Sequence, residues 1–204
     1  EVPEHLKHRV FHTWNRVFGT MLGLNTAVWA AWQTDFLENA FPENASSVHR
    51  LASFLQEHFT VSKEAIDQGR YWTLLTNTFS HQYFLHMAFN MIAMYTFGSY
   101  VFHFIGLGGF TLLYTGAALA SSAAFAYSTP FDAGQGASGV ITGMAATASI
   151  ITPLEEVLIM GIPVPLKRAV IGLFMFDLAG YTFGSGIVSV PFSHASHLGG
   201  YLAG

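Results

Sequence analysis

The feature that most constrains the fold is a long run of the chain without charge. From Tyr71 to Phe131 there is no Lys, Arg, Asp or Glu, and there is none again after Asp177. A helix needs about 20 mostly apolar residues to cross the hydrocarbon core of a bilayer, so the first run has room for more than one crossing. Charged residues make up only 10% of the chain, whereas soluble domains carry about 25%. These features predict a helical protein with several membrane spans.

The composition also argues against several functional classes. The formal net charge is −4, and no basic patch with interleaved aromatic residues is present, so we expect no nucleic-acid partner. The chain contains no cysteine. Disulfides, thiolate metal sites and a cysteine nucleophile are therefore excluded together.

Hydrophobic windows bounded by turn residues predict an all-α membrane domain with six spans, covering residues 1–204. The windows lie at about residues 15–33, 84–104, 109–127, 137–151, 169–183 and from 190 onward. We expect residues 1–14 to form an N-terminal extension and residues 34–70 a long polar first loop. The prolines of residues 152–168 predict an interfacial connection rather than a continuous helix. The last window is still apolar at Gly204, so we expect the sixth span to be truncated.

Polar side chains cluster where the even-numbered spans begin. His86 and Asn90, in "HMAFN", are four residues apart and share one face of a helix. Ser138, in "GASG", opens the fourth span, and His194 and His197, in "HASHLGG", open the sixth. Spans two, four and six start on the same side of the membrane, so these groups are predicted to lie close together. Polar groups inside spans are costly and mark a functional site by default.

These residue types supply the parts of a serine hydrolase. A serine hydroxyl becomes a nucleophile when a base, most often His, takes its proton. Side-chain amides and imidazoles can stabilise the oxyanion beside a backbone N–H. No acidic residue lies near His197 in the sequence, and Asp177 is the only carboxylate inside a predicted span. The residues therefore favour a Ser138–His197 dyad over a triad.

Each of these residues also has a structural interpretation. A serine among glycines in a membrane helix most often serves close packing, and small residues recur here at four-residue spacing. The glycines predicted to pack the fourth span against the sixth are Gly139, Gly143, Gly199 and Gly200. Both interpretations of Ser138 hold together if the small residues bring His197 within reach of it. Asp177 is interpreted as structural, and the roles of His81 and His194 stay open.

The motifs "GASG", "HMAFN" and "HASHLGG", in this order on predicted spans, resemble those of rhomboid intramembrane serine proteases. Within that family, the chain is most similar to the mitochondrial presenilin-associated rhomboid-like branch. The resemblance implies six helices around a water-filled cavity, with Ser138 as nucleophile and His197 as base. It also implies His86, Asn90 and Gly136 as residues that stabilise the oxyanion and substrate.

The same resemblance implies no cofactor and no metal. It implies single-pass transmembrane proteins as substrates, in a lipid bilayer that would be the mitochondrial inner membrane. Two features depart from the family pattern. Many bacterial members carry Trp-Arg in the first loop, where this chain has "GRYW", so the bracing of that loop is open. Thr142 stands where bacterial members often carry a tyrosine that stacks on the catalytic histidine, so another group must orient His197.

Two other functions compete with this interpretation. One is an inactive rhomboid-like protein that binds membrane helices without cutting them. Such proteins usually lack the serine or the histidine, and this chain has both. The other is a transporter or metal channel that uses the imidazoles of His81, His86, His194 and His197. The sequence leaves the oligomeric state open.

Overall fold

The computed structural model describes residues 4–128, 133–159, 161–183 and 193–204. These residues are mostly helical. The helices are α1 Glu4–Ala31, α2 Thr34–Ala40, α3 Ala45–His58, α4 Lys63–Asp67, α5 Thr73–Thr76, α6 Phe84–Ser128, α7 Ser138–Ile151, α8 Leu166–Phe183 and α9 His194–Ala203, with short 3₁₀ helices at Pro42–Asn44 and Asn77–Phe79. The predicted start of the sixth span, at residue 190, lies outside the described residues.

Helix α1 is anchored by one aromatic side chain. Trp14 is 1% exposed, and its ring lies 5.5 Å from that of Phe102 and 5.4 Å from that of Phe110. Gly98 leaves the space for this ring, because a Cβ there would lie only 2.5 Å from Trp14 Cη2. The helix already begins at Glu4, so residues 4–14 of the expected N-terminal extension are helical and continuous with the first predicted span.

Helix α6 contains two predicted spans and bends between them. Gly106 has φ +65° and ψ −174°, which is not helical and favours glycine. The two ends of α6 come back to the same region. Asn77, shortly before the helix, donates from Nδ2 to Ser122 Oγ at 2.8 Å, near the end of the helix. The turn predicted from "GLGG" is therefore present.

Helices α7 and α9 approach so closely that their backbones touch. A Cβ at Gly200 would collide with the carbonyl oxygen of Gly139 and with Thr142 Oγ1. A Cβ at Gly143 would lie 2.8 Å from Ala117 Cβ and 3.0 Å from the Gly200 carbonyl oxygen. Small residues let membrane helices pack at this distance. The contact brings the first turn of α7 beside the first turn of α9.

The connection between α7 and α8 is a β-hairpin. Strands β1 Glu156–Ile159 and β2 Ile162–Pro165 pair antiparallel, with Val157 opposite Val164. Gly161, with φ +83°, lies between them. Prolines are tolerated because both strands of a two-stranded sheet are edge strands. The expectation of an all-α chain is therefore corrected by one hairpin.

The predicted count of six spans is not confirmed. Among the described residues, one helix, α6, is long and apolar enough to cross a membrane. Helix α7 is apolar but shorter, at 14 residues.

The predicted first loop folds into helices α2, α3 and α4 and reaches the segment before Ser138. Val61 and Gly134 exchange both backbone hydrogen bonds, each at 2.8 Å. The loop therefore braces the approach to the candidate site.

Candidate active site

The predicted serine and histidine meet in the structure. His197 Nε2 lies 2.9 Å from Ser138 Oγ, within hydrogen-bond distance, although the residues are 59 positions apart. Ser138 is the first residue of α7, and His197 lies in the first turn of α9. The close packing of these two helices sets the distance. Thr142 Oγ1 adds a hydrogen bond to the His197 carbonyl oxygen at 3.1 Å.

A carboxylate lies on the other side of the His197 ring. Asp177 Oδ1 is 2.9 Å from His197 Nδ1, and the Asp177 side chain is 5% exposed. An ionised carboxylate only accepts hydrogen bonds, so His197 carries its proton on Nδ1 and turns the Nε2 lone pair to Ser138. The structure therefore adds a carboxylate beside the predicted Ser138–His197 pair, where the sequence favoured a dyad without one. Asp177 is also the orienting group that Thr142 cannot supply.

The contact between Asp177 and His197 could not be predicted from their separation in the sequence. Asp177 lies on α8, 20 residues before His197, and only the packing of α8 against α9 brings the two together. One signal was available, since a carboxylate inside an apolar span needs a strong donor nearby.

Residues 135–137, which lead to Ser138, each form a hydrogen bond with a residue in the range 77–81. Ser80 Oγ donates to Gln135 Oε1 at 2.8 Å. The Gly136 N–H donates to the Asn77 carbonyl oxygen at 2.9 Å, and the Ala137 N–H donates to His81 Nε2 at 3.3 Å. Ser80 in turn accepts a hydrogen bond from Trp32 Nε1 at 2.6 Å. The position of the nucleophile is thus tied to α1 and to the chain before α6.

His81, left open by the sequence, is fully buried within this bracing segment. Burial, with a smaller contribution from the nearby His86, lowers the pKa of His81 to about 3. His81 therefore stays neutral at physiological pH. A neutral ring is what the contact with Ala137 requires, because Nε2 must accept.

His86 lies beside the nucleophile segment and is exposed. Gly136 has φ +123°, and a Cβ there would lie 2.9 Å from His86 Cε1. Glycine at this position is therefore needed for both the backbone conformation and the approach of the His86 ring. His86 is also near enough to His197 for charges on the two rings to repel.

His86, Asn90 and Gly136, which are predicted to stabilise the oxyanion and substrate, differ in the hydrogen-bond donors that they can present. Asn90 is 6% exposed, and its Nδ2 donates to the His86 carbonyl oxygen at 2.8 Å. The N–H of Gly136 is already bonded to the Asn77 carbonyl oxygen, and its part in stabilising the oxyanion or substrate stays a prediction. The first N–H groups of a helix have no intrahelical partner. In α7 these begin with the Ser138 N–H, which lies beside its own hydroxyl.

The four packing glycines lie at tight helix contacts. A Cβ at Gly139 would lie 2.6 Å from Ser121 Oγ and 2.7 Å from Ser196 Oγ, and one at Gly199 would lie 2.6 Å from the Ala120 carbonyl oxygen. Gly143 and Gly200 form the contact between α7 and α9 described above. Gly199 therefore packs α9 against α6 and not, as predicted, against α7, whereas Gly139 lies between α6 and α9.

The arrangement can perform nucleophilic acyl transfer. It contains a hydroxyl, a base aimed at that hydroxyl, a carboxylate that orients the base, and a helix N-terminus at the nucleophile. Within the described residues, no group of three His, Cys, Asp or Glu side chains has the arrangement of a metal site.

Comparison with known proteins gives a consistent result. The chain is 28% identical over 202 residues to Rhomboid protein 1, mitochondrial, of Saccharomyces cerevisiae, covering 95% of this chain and 52% of that protein. It is 28% identical over 193 residues to Presenilin-associated rhomboid-like protein A, mitochondrial, of Danio rerio, covering 90% and 45%. Rhomboid protease GluP of Bacillus subtilis is 28% identical over 139 residues, covering 68% and 26%.

The chain spans about half the length of the first two of these relatives. The model of the rhomboid domain matches residues 68–204, which include every residue of the candidate site. The chain belongs to the rhomboid family.

Proposed function

We propose that this protein is an intramembrane serine endopeptidase that hydrolyses peptide bonds within or next to the transmembrane helices of single-pass membrane proteins. The observation that carries the proposal is the position of His197. Its Nε2 lies 2.9 Å from Ser138 Oγ, and its Nδ1 lies 2.9 Å from Asp177 Oδ1. A histidine held between a hydroxyl and a buried carboxylate has the geometry of a general base.

In the proposed reaction, Ser138 Oγ attacks the carbonyl carbon of the scissile peptide bond while His197 Nε2 takes the hydroxyl proton. Asp177 accepts from Nδ1 and stabilises the imidazolium that forms. The carbon–nitrogen bond then breaks, and His197 returns the proton to the leaving amine. Water attacks the acyl-enzyme with His197 again as base, which releases the new carboxylate and restores Ser138.

The oxyanion of the tetrahedral intermediate would be stabilised at the start of α7. The Ser138 N–H is the backbone donor, and the helix dipole of α7 favours negative charge at this end. The exposed His86 ring, which lies beside Gly136, is the candidate side-chain donor. Asn90 Nδ2 donates one amide proton to the His86 carbonyl oxygen and has a second one that can serve the same oxyanion.

The substrate must be a helix that opens easily. A peptide bond in a membrane helix has its N–H and C=O groups bonded within the helix, so it cannot be attacked until the helix unwinds. Helix-breaking residues near the cut and a small residue before it would meet this requirement. The names of the relatives from yeast and zebrafish favour mitochondria, and we place the protein in the inner mitochondrial membrane as a multi-pass protein.

The test is cleavage of a single-span reporter by detergent-solubilised protein. We expect the wild type to cut the reporter with and without a metal chelator. Ser138→Ala and His197→Ala should both abolish the cut while the proteins stay folded. Sensitivity to the chelator would point to metal chemistry. A folded wild type that binds reporters but cuts none would favour an inactive, helix-binding rhomboid-like protein.

A further inference from the structure

The carboxylate of Asp177 contacts more than one histidine. His194 Nδ1 lies 2.8 Å from Asp177 Oδ1, the same oxygen that His197 contacts at 2.9 Å. The Tyr201 hydroxyl reaches the other oxygen, Oδ2, at 3.4 Å. The three side chains occupy positions i, i+3 and i+7 of α9, which lie on one face of a helix. A single face of α9 is therefore directed at one carboxylate on α8.

We propose that His194 is a positioning residue, which acts through Asp177 to keep the carboxylate aligned with His197. The inference rests on the proposed function, because it assigns His194 a part in the same reaction. His194 touches neither Ser138 nor, in the proposed mechanism, the substrate. Its effect on catalysis would be transmitted by one oxygen atom, Asp177 Oδ1.

The physical reason lies in the burial of the carboxylate. The Asp177 side chain is 5% exposed, and those of His194 and His197 are 12% and 13% exposed. A buried carboxylate needs several hydrogen-bond donors, and when it has too few it rotates towards other donors. If His197 were the only strong donor, the carboxylate could rotate about its side-chain torsion as His197 moves between Ser138 and the leaving group. A second imidazole on the same oxygen opposes that rotation.

The surroundings of His194 hold its ring in this position. The ring lies against the backbone of Gly180, and a Cβ added to Gly180 would collide with His194 Nε2. The Phe176 ring meets it edge-on, with the ring centroids 5.5 Å apart. Residues 176, 177 and 180 of α8 therefore form one seat for the imidazole. The absence of a side chain at Gly180 is what permits the imidazole to reach Asp177.

A matched pair of variants separates the hydrogen bond from the space that His194 fills. Asn and Leu have nearly the same shape, but His194→Asn keeps a nitrogen donor at the position of Nδ1, whereas His194→Leu removes it. We expect His194→Leu to lower kcat by about 10-fold, the effect of losing one hydrogen bond to a charged group. KM should change by less than about twofold, because substrate contacts are unaffected. His194→Asn should stay within about threefold of the wild-type kcat.

A double-mutant cycle tests whether the effect passes through the carboxylate. In an Asp177→Asn background, His194→Leu should lower kcat by less than about twofold, because the group it acts on is already gone. Equal kcat values for His194→Leu and His194→Asn, with both proteins folded, would overturn the inference. So would a full 10-fold effect of His194→Leu in the Asp177→Asn background.

A substitution at Gly180 tests the position of the His194 ring without changing His194 itself. Gly180→Ala should displace the imidazole and lower kcat about as much as His194→Leu, although alanine is a better helix former than glycine. An active Gly180→Ala protein with wild-type kcat would contradict the proposed seat. A wild-type protein that cuts no reporter would refute the proposed function itself, so the two failures are distinguishable.

Discussion

Replacing Asp177 by Asn tests the role of a carboxylate that the sequence predicted to be structural. The change keeps the shape of the side chain and removes its charge. Asn can present a carbonyl oxygen to His197 Nδ1, but it can equally present its NH₂ group, which would select the wrong tautomer of His197. The imidazolium formed during the reaction would then lack its counter-charge.

Two magnitudes bound the expected loss. A hydrogen bond to a charged group contributes about 1.5–3 kcal/mol, which corresponds to about 10- to 150-fold in rate. Two unit charges about 3 Å apart interact by about 6 kcal/mol at an effective dielectric constant of 20, which corresponds to about 10⁴-fold. Asp177 shares its charge between His197 and His194. We therefore expect kcat to fall by about 10²- to 10³-fold, between these bounds.

The assay is the rate of reporter cleavage at saturating reporter, with KM measured separately. KM should change by less than about threefold, because Asp177 contacts no substrate in the proposed mechanism. Thr182→Val on the same helix is the matched control, since Thr182 is exposed and its hydroxyl donates to backbone carbonyl oxygens of α8. An Asp177→Asn protein that is folded and keeps more than one third of the wild-type kcat would refute the role of the carboxylate.

Three further predictions follow from the packing and from the segment before Ser138. Gly200→Ala should cost about 1–3 kcal/mol of stability and abolish cleavage, because the added Cβ would collide with the Gly139 carbonyl oxygen. The control is Gly172→Ala, which has open space around it and should lower neither thermal stability nor activity. Burial depresses the pKa of His81 in the folded state. The contribution of His81 to the free energy of unfolding is therefore complete above about pH 6.5, and it is lost at about 1.4 kcal/mol per pH unit as the pH falls towards 3. His81→Gln keeps an acceptor for Ala137 and cannot titrate, so thermal unfolding against pH should become flatter below pH 6.5, and an unchanged slope would exclude His81 as its source. Asn90→Ala should slow cleavage by about 100-fold if Asn90 donates to the oxyanion, and an unchanged rate in the folded variant would remove it from the mechanism.

Local patterns predicted the elements that depend on local sequence. The turn at Gly106 was readable from "GLGG", and the start of α7 at Ser138 from "GASG". The rule that even-numbered spans begin on one side of a membrane predicted that Ser138, His197 and His86 would be neighbours. The glycine spacing predicted which helix faces would touch. These inferences need only periodicity and chain direction.

The remaining features depend on tertiary context. Helix α1 begins at Glu4, and Trp14 packs it against α6; the charged residues near the N-terminus did not indicate this packing. The prolines between α7 and α8 were correctly interpreted as breaking a helix, but the pairing of Val157 with Val164 could not be seen in them. The contact between Asp177 and His197 depends on how α8 is rotated against α9. Hydropathy carries no information on that rotation.

The central claim is that His197 activates Ser138. The most direct measurement is the rate at which a serine-reactive fluorophosphonate labels the detergent-solubilised protein, with the modified residue identified by mass spectrometry. The account predicts a single adduct on Ser138 in the wild type and loss of labelling in folded His197→Ala protein. Labelling of Ser138 at the same rate in His197→Ala, or no adduct on Ser138 in a wild-type protein that cleaves the reporter, would contradict it.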